Sequence, residues 1–531
     1  MATPSLAMIP SAYADSKVYS VLPTNGDGDF TFNRDSSATR VGQNGLIQEV
    51  GYFGNELITN GSFDTDSDWT KGTSWTIGGG VATSDGGQSS LTQSIAVVLG
   101  RNYLISFNVN RNSGTLFVRN SSDVTIRTID ANNNDSFQSF TYTATSTGLI
   151  KFYSYDYNGT IDNVSVKEVT GDQPRLNYDI SNGVVQSCPS LLLEPASTNV
   201  YSYSQDFSNS YWTKSGTSVI SGFVSPDGTL NAFKLIGDGA NSTHLLRKYI
   251  AATASTDYSF SFFVKKDEIN KLGIREDAQT GAYASFNLET KAIITEVSMT
   301  LTYEEVGDYL RLKVVSQIGS NGTAGYTIYM LDDAYSGGVV NGSRVIPNGS
   351  GFYIFGAQLE ALSYATSYIP TNGASQTRAA ETCSKSGLTN YIGQTEGTVF
   401  AEINVSSIES VGGFSGFRIY DGTTSNSISF IIYPTGRIQS TTFNGGSLVV
   451  NLNFNNYGLT SGVHKIAVAY KENDYILYVD GSLVGSDVSA TVPTVNQFDL
   501  SYTNGGSLKY NQTRIFKTRL TDAQLQTLTT L

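Results

Sequence analysis

Charge is scarce in this chain. Asp, Glu, Lys and Arg make up 15% of its 531 residues, and the balance is acidic, at −13. That argues against a nucleic-acid partner, because neutralising phosphates takes clustered Lys and Arg. Two cysteines are no disulfide framework. The two histidines, His244 and His464, stand in no metal spacing with a second His or Cys, and nothing near either suggests a triad. No run of about 20 apolar residues exists, so membrane insertion is not expected. The opening residues, Met1 to Pro10, lack a basic n-region and a long apolar h-region, so export by a signal peptide is not expected either.

Gly (53) and Tyr (32) are abundant, with many Ser, Thr and Asn. This composition fits short strands joined by tight turns, and the length fits three or four domains. The expected class is all-β, with tandem β-sandwich (jelly-roll) domains after an extended N-terminal arm. Residues 1–55 carry dense turn signals (Asn25-Gly26, Asp27-Gly28, Asn44-Gly45) and too few apolar residues for a core of their own. They read as an arm. Residues 56–170 alternate apolar and polar positions, as in Tyr103–Val109 and Leu149–Tyr155, which predicts a sandwich.

Residues 171–380 repeat that plan at larger size. Phe63-Asp64-Thr65-Asp66-Ser67-Asp68-Trp69-Thr70-Lys71 is echoed by Phe207-Ser208-Asn209-Ser210-Tyr211-Trp212-Thr213-Lys214. Tyr103–Val109 is echoed by Tyr258–Val264, and Ile161–Val166 by Phe355–Glu360. Three echoes in one order imply a duplication. Residues 381–394 read as a linker, and 395–531 as a third sandwich closed by a short helix capped by Thr521 or Asp522.

Two motifs carry a resemblance. Phe32-Asn33-Arg34-Asp35-Ser36-Ser37-Ala38-Thr39-Arg40-Val41 stands near the start. Tyr364-Ala365-Thr366-Ser367-Tyr368-Ile369-Pro370-Thr371, then Thr377-Arg378-Ala379-Ala380-Glu381, stands near residue 370. Each resembles the joining segments of bacteriophage virion proteins of the fibre and decoration class. Leu57–Asp64 with Asp162–Val166 resembles carbohydrate-binding-module jelly rolls. His464–Tyr470 with Tyr475–Gly481 looks like the central strands of concanavalin/laminin-G-like sandwiches. The implied protein is a virion component, assembled in the host cytoplasm. It would be held to other virion proteins through residues 1–55, occur as a homo-oligomer, and contact host-surface glycans; a secreted bacterial glycan-binding adhesin is the alternative, ahead of a glycan-degrading depolymerase.

The candidate sites follow. In a strand Phe152–Tyr157, period two places Tyr153, Tyr155 and Tyr157 on one outward face, where aromatic rings could stack on sugars. Trp69 and Trp212 are equivalent in the two repeats and read as core. Trp75 has no counterpart and reads as a carbohydrate-binding residue. In the resembling modules a structural calcium joins the opening and closing segments. Here that implies the Ser62 carbonyl with the Asp64 and Asp162 carboxylates. The second repeat has Ser208 for the acid and Gly356 for the closing Asp, so no calcium is expected there. No catalytic residues are expected: adjacent acids such as Asp332-Asp333 and Glu304-Glu305 point to opposite faces of a strand. Cys188 and Cys383 flank the second domain, but assembly in a cytoplasm argues against a bridge.

Overall fold

The computed structural model describes residues 2–531 apart from 52, 133–136, 170–171, 406–413 and 504. Strands dominate, and Asp522–Thr529 is the α-helix among the described residues. Thr521 caps it with a reciprocal bond pair to Gln524, as its sequence predicts. The chain forms two compact units, Gly51–Gly171 and the combination of Met1–Val50 with Asp172–Leu531.

The larger unit corrects the expected arm and linker. Leu6–Met8 pairs antiparallel with Leu508–Phe516, setting Leu6 opposite Ile515. Phe30–Asn33 pairs with Thr382–Lys385, and that strand pairs onward with Gln497–Tyr502. Ser190–Leu193 adds to the same Leu508–Phe516 strand. The last sandwich is therefore built from residues 6–33, 175–193 and 382–516, interrupted by two insertions. The physical reason is burial. Leu6, Met8, Val18, Phe30 and Phe32 are fully buried in one core with Val399, Phe417, Ile466 and Phe498. These few apolar residues make no core alone; they complete someone else's. Leu388 and Ile392, inside the expected linker, belong to that core too. Cys383 lies in it while Cys188 is exposed, and both thiols are free.

The second insertion is a sandwich of two six-stranded sheets spanning Thr213–Glu360. It shares details with the first jelly roll that alternation alone does not impose. In the first, the Trp69 indole donates to the Asn60 carbonyl at 3.0 Å and packs on Phe63 at 5.2 Å. In the second, Trp212 donates to the Tyr203 carbonyl at 2.9 Å and packs on Phe207 at 5.2 Å. Tyr103 and Tyr258 each accept the N–H five residues before them, from Val98 and Thr253. Both closing strands bulge at a positive φ, at Asn163 (51°) and Gly356 (62°). The echo is thus offset by one: Gly356 matches Asn163, and Phe355 matches Asp162.

The two joining motifs meet in one buried ionic cluster of the larger unit. Glu381 accepts from Arg34 Nη1 at 3.0 Å, from Arg175 Nε at 2.7 Å and from the Glu194 N–H at 2.9 Å. Glu194 in turn lies 2.8 Å from Arg175 and 3.0 Å from Arg378, and accepts from the Ser367 hydroxyl at 2.7 Å. Asp172 accepts the N–H groups of Arg34 and Asp35 at 2.7 and 2.9 Å. The arginines and glutamates of the cluster are all within 2% of complete burial. Charges removed from water this thoroughly persist only when paired, and here each one is.

Candidate functional site

The first jelly roll presents an aromatic strip on the outer face of its sheet. Gly148–Val169 runs antiparallel to Asn102–Asn120, and Tyr153 lies opposite Phe117. Up to Tyr155 the alternation holds: Ile150, Phe152 and Ser154 are buried, and Tyr155 is 49% exposed. Then it fails. Tyr155 and Asp156 both face Thr115, a bulge with Asp156 at φ 55°. Gly114 opposite has φ 73°, and a Cβ there would stand 1.8 Å from the Asp156 carbonyl oxygen, so the close approach needs glycine. One extra residue reverses the side-chain phase, and Tyr157 turns inward.

Tyr157 is therefore core and not part of the outward platform. It is fully buried and donates to the Thr160 carbonyl at 2.9 Å. Burial pushes its phenol far above the ordinary tyrosine range. Trp75 is also core: it is 3% exposed, stacks on Tyr157 at 6.1 Å and donates to the Ser89 carbonyl at 3.2 Å. Its strand pairs Trp75 with the buried Ser84, which sets its inward face. Lacking a counterpart in the second repeat did not make it a surface residue.

Tyr153 and Tyr155 remain outward, and the structure adds Phe117 and Arg119 to them. Phe117 meets Tyr155 edge-to-face at 6.3 Å. The Arg119 guanidinium lies over the Tyr153 ring at 4.1 Å and over Phe117 at 5.0 Å, and its Nε has no partner. Arg119 thus lies over two of the three rings and leaves Tyr155 open. Lys151, paired with Asp123 at 2.6 Å, and Asp156, accepting from Gln88 at 3.1 Å, form a polar rim. The alternation of Thr115, Phe117 and Arg119 carries the signal for the two added residues. It becomes readable once Tyr153 and Phe117 are known to be opposite.

The opening turn and the closing bulge do come together. The Val164 N–H donates to the Gly61 carbonyl at 2.9 Å. The Ser62 hydroxyl donates to Asp64 at 2.6 Å, and Asp162 accepts from the backbone and side chain of Asn163 at 2.6 and 3.0 Å. Partial burial and the neighbouring Asp64 charge raise the Asp162 carboxyl above its ordinary range, against the Asn163 bond. Two like charges held near one another are relieved by a hard cation, so these residues fit calcium in chemistry. Among the described residues no group of three or more His, Cys, Asp or Glu side chains is placed for a metal. The other oxygens would come from backbone and water.

His464 is structural in its contacts. Nδ1 lies 2.6 Å from Asp480 and Nε2 lies 2.8 Å from the Thr460 carbonyl. Burial opposes its charge, but these two acceptors prevail and raise its pKa.

No protein-family model and no curated protein matches the chain. Solved structures do. The CBM40 module of Ruminococcus gnavus IT-sialidase is similar at 16% identity over 26% of this chain and 84% of its own, with a TM-score of 0.22. The CBM22 tandem of Paenibacillus barcinonensis Xyn10C is similar at 14% identity over 58% and 98%, with a TM-score of 0.21. Domains LG4-5 of the mouse laminin alpha1 chain are similar at 12% identity over 57% and 89%, with a TM-score of 0.18. At these scores no residue role is carried over from them.

Proposed function

We propose that this protein is an adhesion component of a tailed-phage virion that holds host-surface glycans on the outer face of its first jelly roll. The observation that carries the glycan reading is Tyr155, an open ring set between Phe117 and the polar rim of Lys151 and Asp156. A pyranose face would lie on that ring, and Arg119 would donate to its hydroxyls. Such a contact is weak singly, and display of many copies, as in an oligomer on a particle, turns it into avidity. The virion reading rests on the resemblance of the two joining motifs. It no longer includes attachment by an arm, since residues 6–33 are spent on sheet pairing. Asp64 and Asp162, with the Ser62 carbonyl, would hold a calcium ion that ties the opening turn to the closing strand.

A glycan array probed with the full chain and with Tyr155→Ala tests the first part. Loss of bound glycans in the variant, with an unchanged melting curve, is the expected result. A native chain that retains no glycan, or a variant that binds equally, overturns it. Mass spectrometry of purified particles tests the second part: stoichiometric copies support it, and absence from particles refutes it.

A further inference from the structure

A groove of about 730 Å³ runs along the larger unit, remote in sequence from the aromatic strip. Its walls include Tyr13, Tyr178, Arg40, Gln43, Asn44 and Gln48. The hairpin of Ala38–Val41 with Ile47–Val50 builds one side and sets Arg40 directly across from Gln48. Gly42 leaves room for the Gln48 amide, which a Cβ there would meet at 2.3 Å. The Gln48 side chain therefore lies across the turn and donates to Asn44 at 3.5 Å.

Among the described residues Arg40 is the one charged residue of the lining. Its guanidinium lies over the Tyr13 ring at 5.3 Å and donates to the Tyr13 hydroxyl at 3.2 Å. Tyr13 is its partner among the described residues, with no carboxylate beside it, and its Nε is buried without a partner. Arg119 and Arg247 also have a buried Nε without a partner; what distinguishes Arg40 is its place in the groove lining. Arg34, Arg175 and Arg378 are all paired with carboxylates. The terminal guanidinium nitrogens, which no carboxylate of the described residues takes, match a carboxylate from outside, while Nε is shut in behind them. Two tyrosines suit the apolar face of a sugar ring, and three amides offer both donors and acceptors to its hydroxyls. The groove is also of a size that holds a small ligand.

We propose that this groove is a second glycan site, specific for a carboxylate-bearing saccharide, with Arg40 taking the carboxylate and Tyr13 and Tyr178 flanking the ring. It rests on the glycan-binding reading for the class of ligand alone, not for the place. The full chain is titrated calorimetrically with an oligogalacturonate and with its methyl ester. The acid form is expected to bind and the ester to bind about 10–100-fold more weakly. Arg40→Gln is expected to lose the same factor, and Arg40→Lys to recover part of it, because a point charge replaces the fork. Gln48→Ala keeps the arginine and is expected to weaken binding several-fold, which guards against a folding defect in the Arg40 variants. Equal binding of acid and ester, undiminished binding by Arg40→Gln, or no binding of the acid overturns the proposal. Loss with Tyr155→Ala but not with Arg40→Gln would place the saccharide on the first jelly roll, overturning this site and leaving the other reading intact.

Discussion

Replacing Glu381 by Gln is the sharpest test of how the larger unit is held together. The carboxylate accepts from two arginines and one backbone N–H, and all of its partners are buried. Glutamine keeps the shape but removes the charge. It also places an NH₂ against donors, where Arg175 and the Glu194 N–H now point. Removing one partner of a buried ion pair costs about 3–5 kcal/mol, because the other charge is left desolvated. Unfolding entropy is roughly 2 cal/mol/K per residue, so a unit of this size loses on the order of 1 °C per kcal/mol. The expected fall is about 3–5 °C in the calorimetric transition of the larger unit, with the other transition unmoved. Glu168→Gln, which breaks an exposed pair with Arg101, is the control and is expected to cost under about 1 kcal/mol. If Glu381→Gln melts within 1 °C of the native chain, the cluster contributes no net stability and the reasoning fails.

Acid should loosen the same cluster. Burial disfavours the Glu194 charge, but Arg378 and Arg175 outweigh it and hold the carboxyl well below its ordinary range. Its stabilisation is therefore present above the unfolded-state pKa near 4.3 and lost as pH falls below it, and Glu194→Gln should flatten denaturation midpoints between pH 5 and 3. Trp75→Ala should destabilise the first jelly roll by about 3–5 kcal/mol, as a core tryptophan does, whereas Tyr155→Ala should cost little; equal effects in urea titrations would contradict the inward and outward assignments. Calcium at pH 7 should raise the melting temperature of the first jelly roll and a chelator should reverse it, with Asp64→Asn and Asp162→Asn abolishing the response; a native chain blind to calcium counts against the site.

Much of the architecture is legible locally. Tyr103, Ile105, Phe107 and Val109 alternate in sequence and are buried together. The duplication reads through Trp69 and Trp212 because an indole needs a fixed acceptor, which constrains residues on both sides of it. What stays hidden depends on distant partners. The bulge at Asp156 arises from contact with Gly114, and nothing near Phe152-Tyr153-Ser154-Tyr155-Asp156-Tyr157 announces a phase change. Pairing of Leu6–Met8 with Leu508–Phe516 joins segments some five hundred residues apart and leaves no periodic mark. A stretch with few apolar residues then looks like an arm although it is an edge of a sheet. The groove around Arg40 escapes for the same reason: Tyr13, Gln48 and Tyr178 are neighbours only after the interrupted sandwich closes.

That interruption governs the order in which the molecule can be made. Leu508–Phe516 is the keystone to which Leu6–Met8, Ser190–Leu193 and Glu396–Val405 all attach. At about 5–20 residues per second, a ribosome takes on the order of a minute to deliver it after the first strand emerges. The two inserted sandwiches are contiguous in the chain and can fold during that interval. Leu6 and Met8 must wait for Leu508–Phe516, and Phe30 and Phe32 for Thr382–Lys385, apolar and without those partners until then. Termination between residues 380 and 508 would release a chain with both inserted sandwiches complete and an open, sticky scaffold.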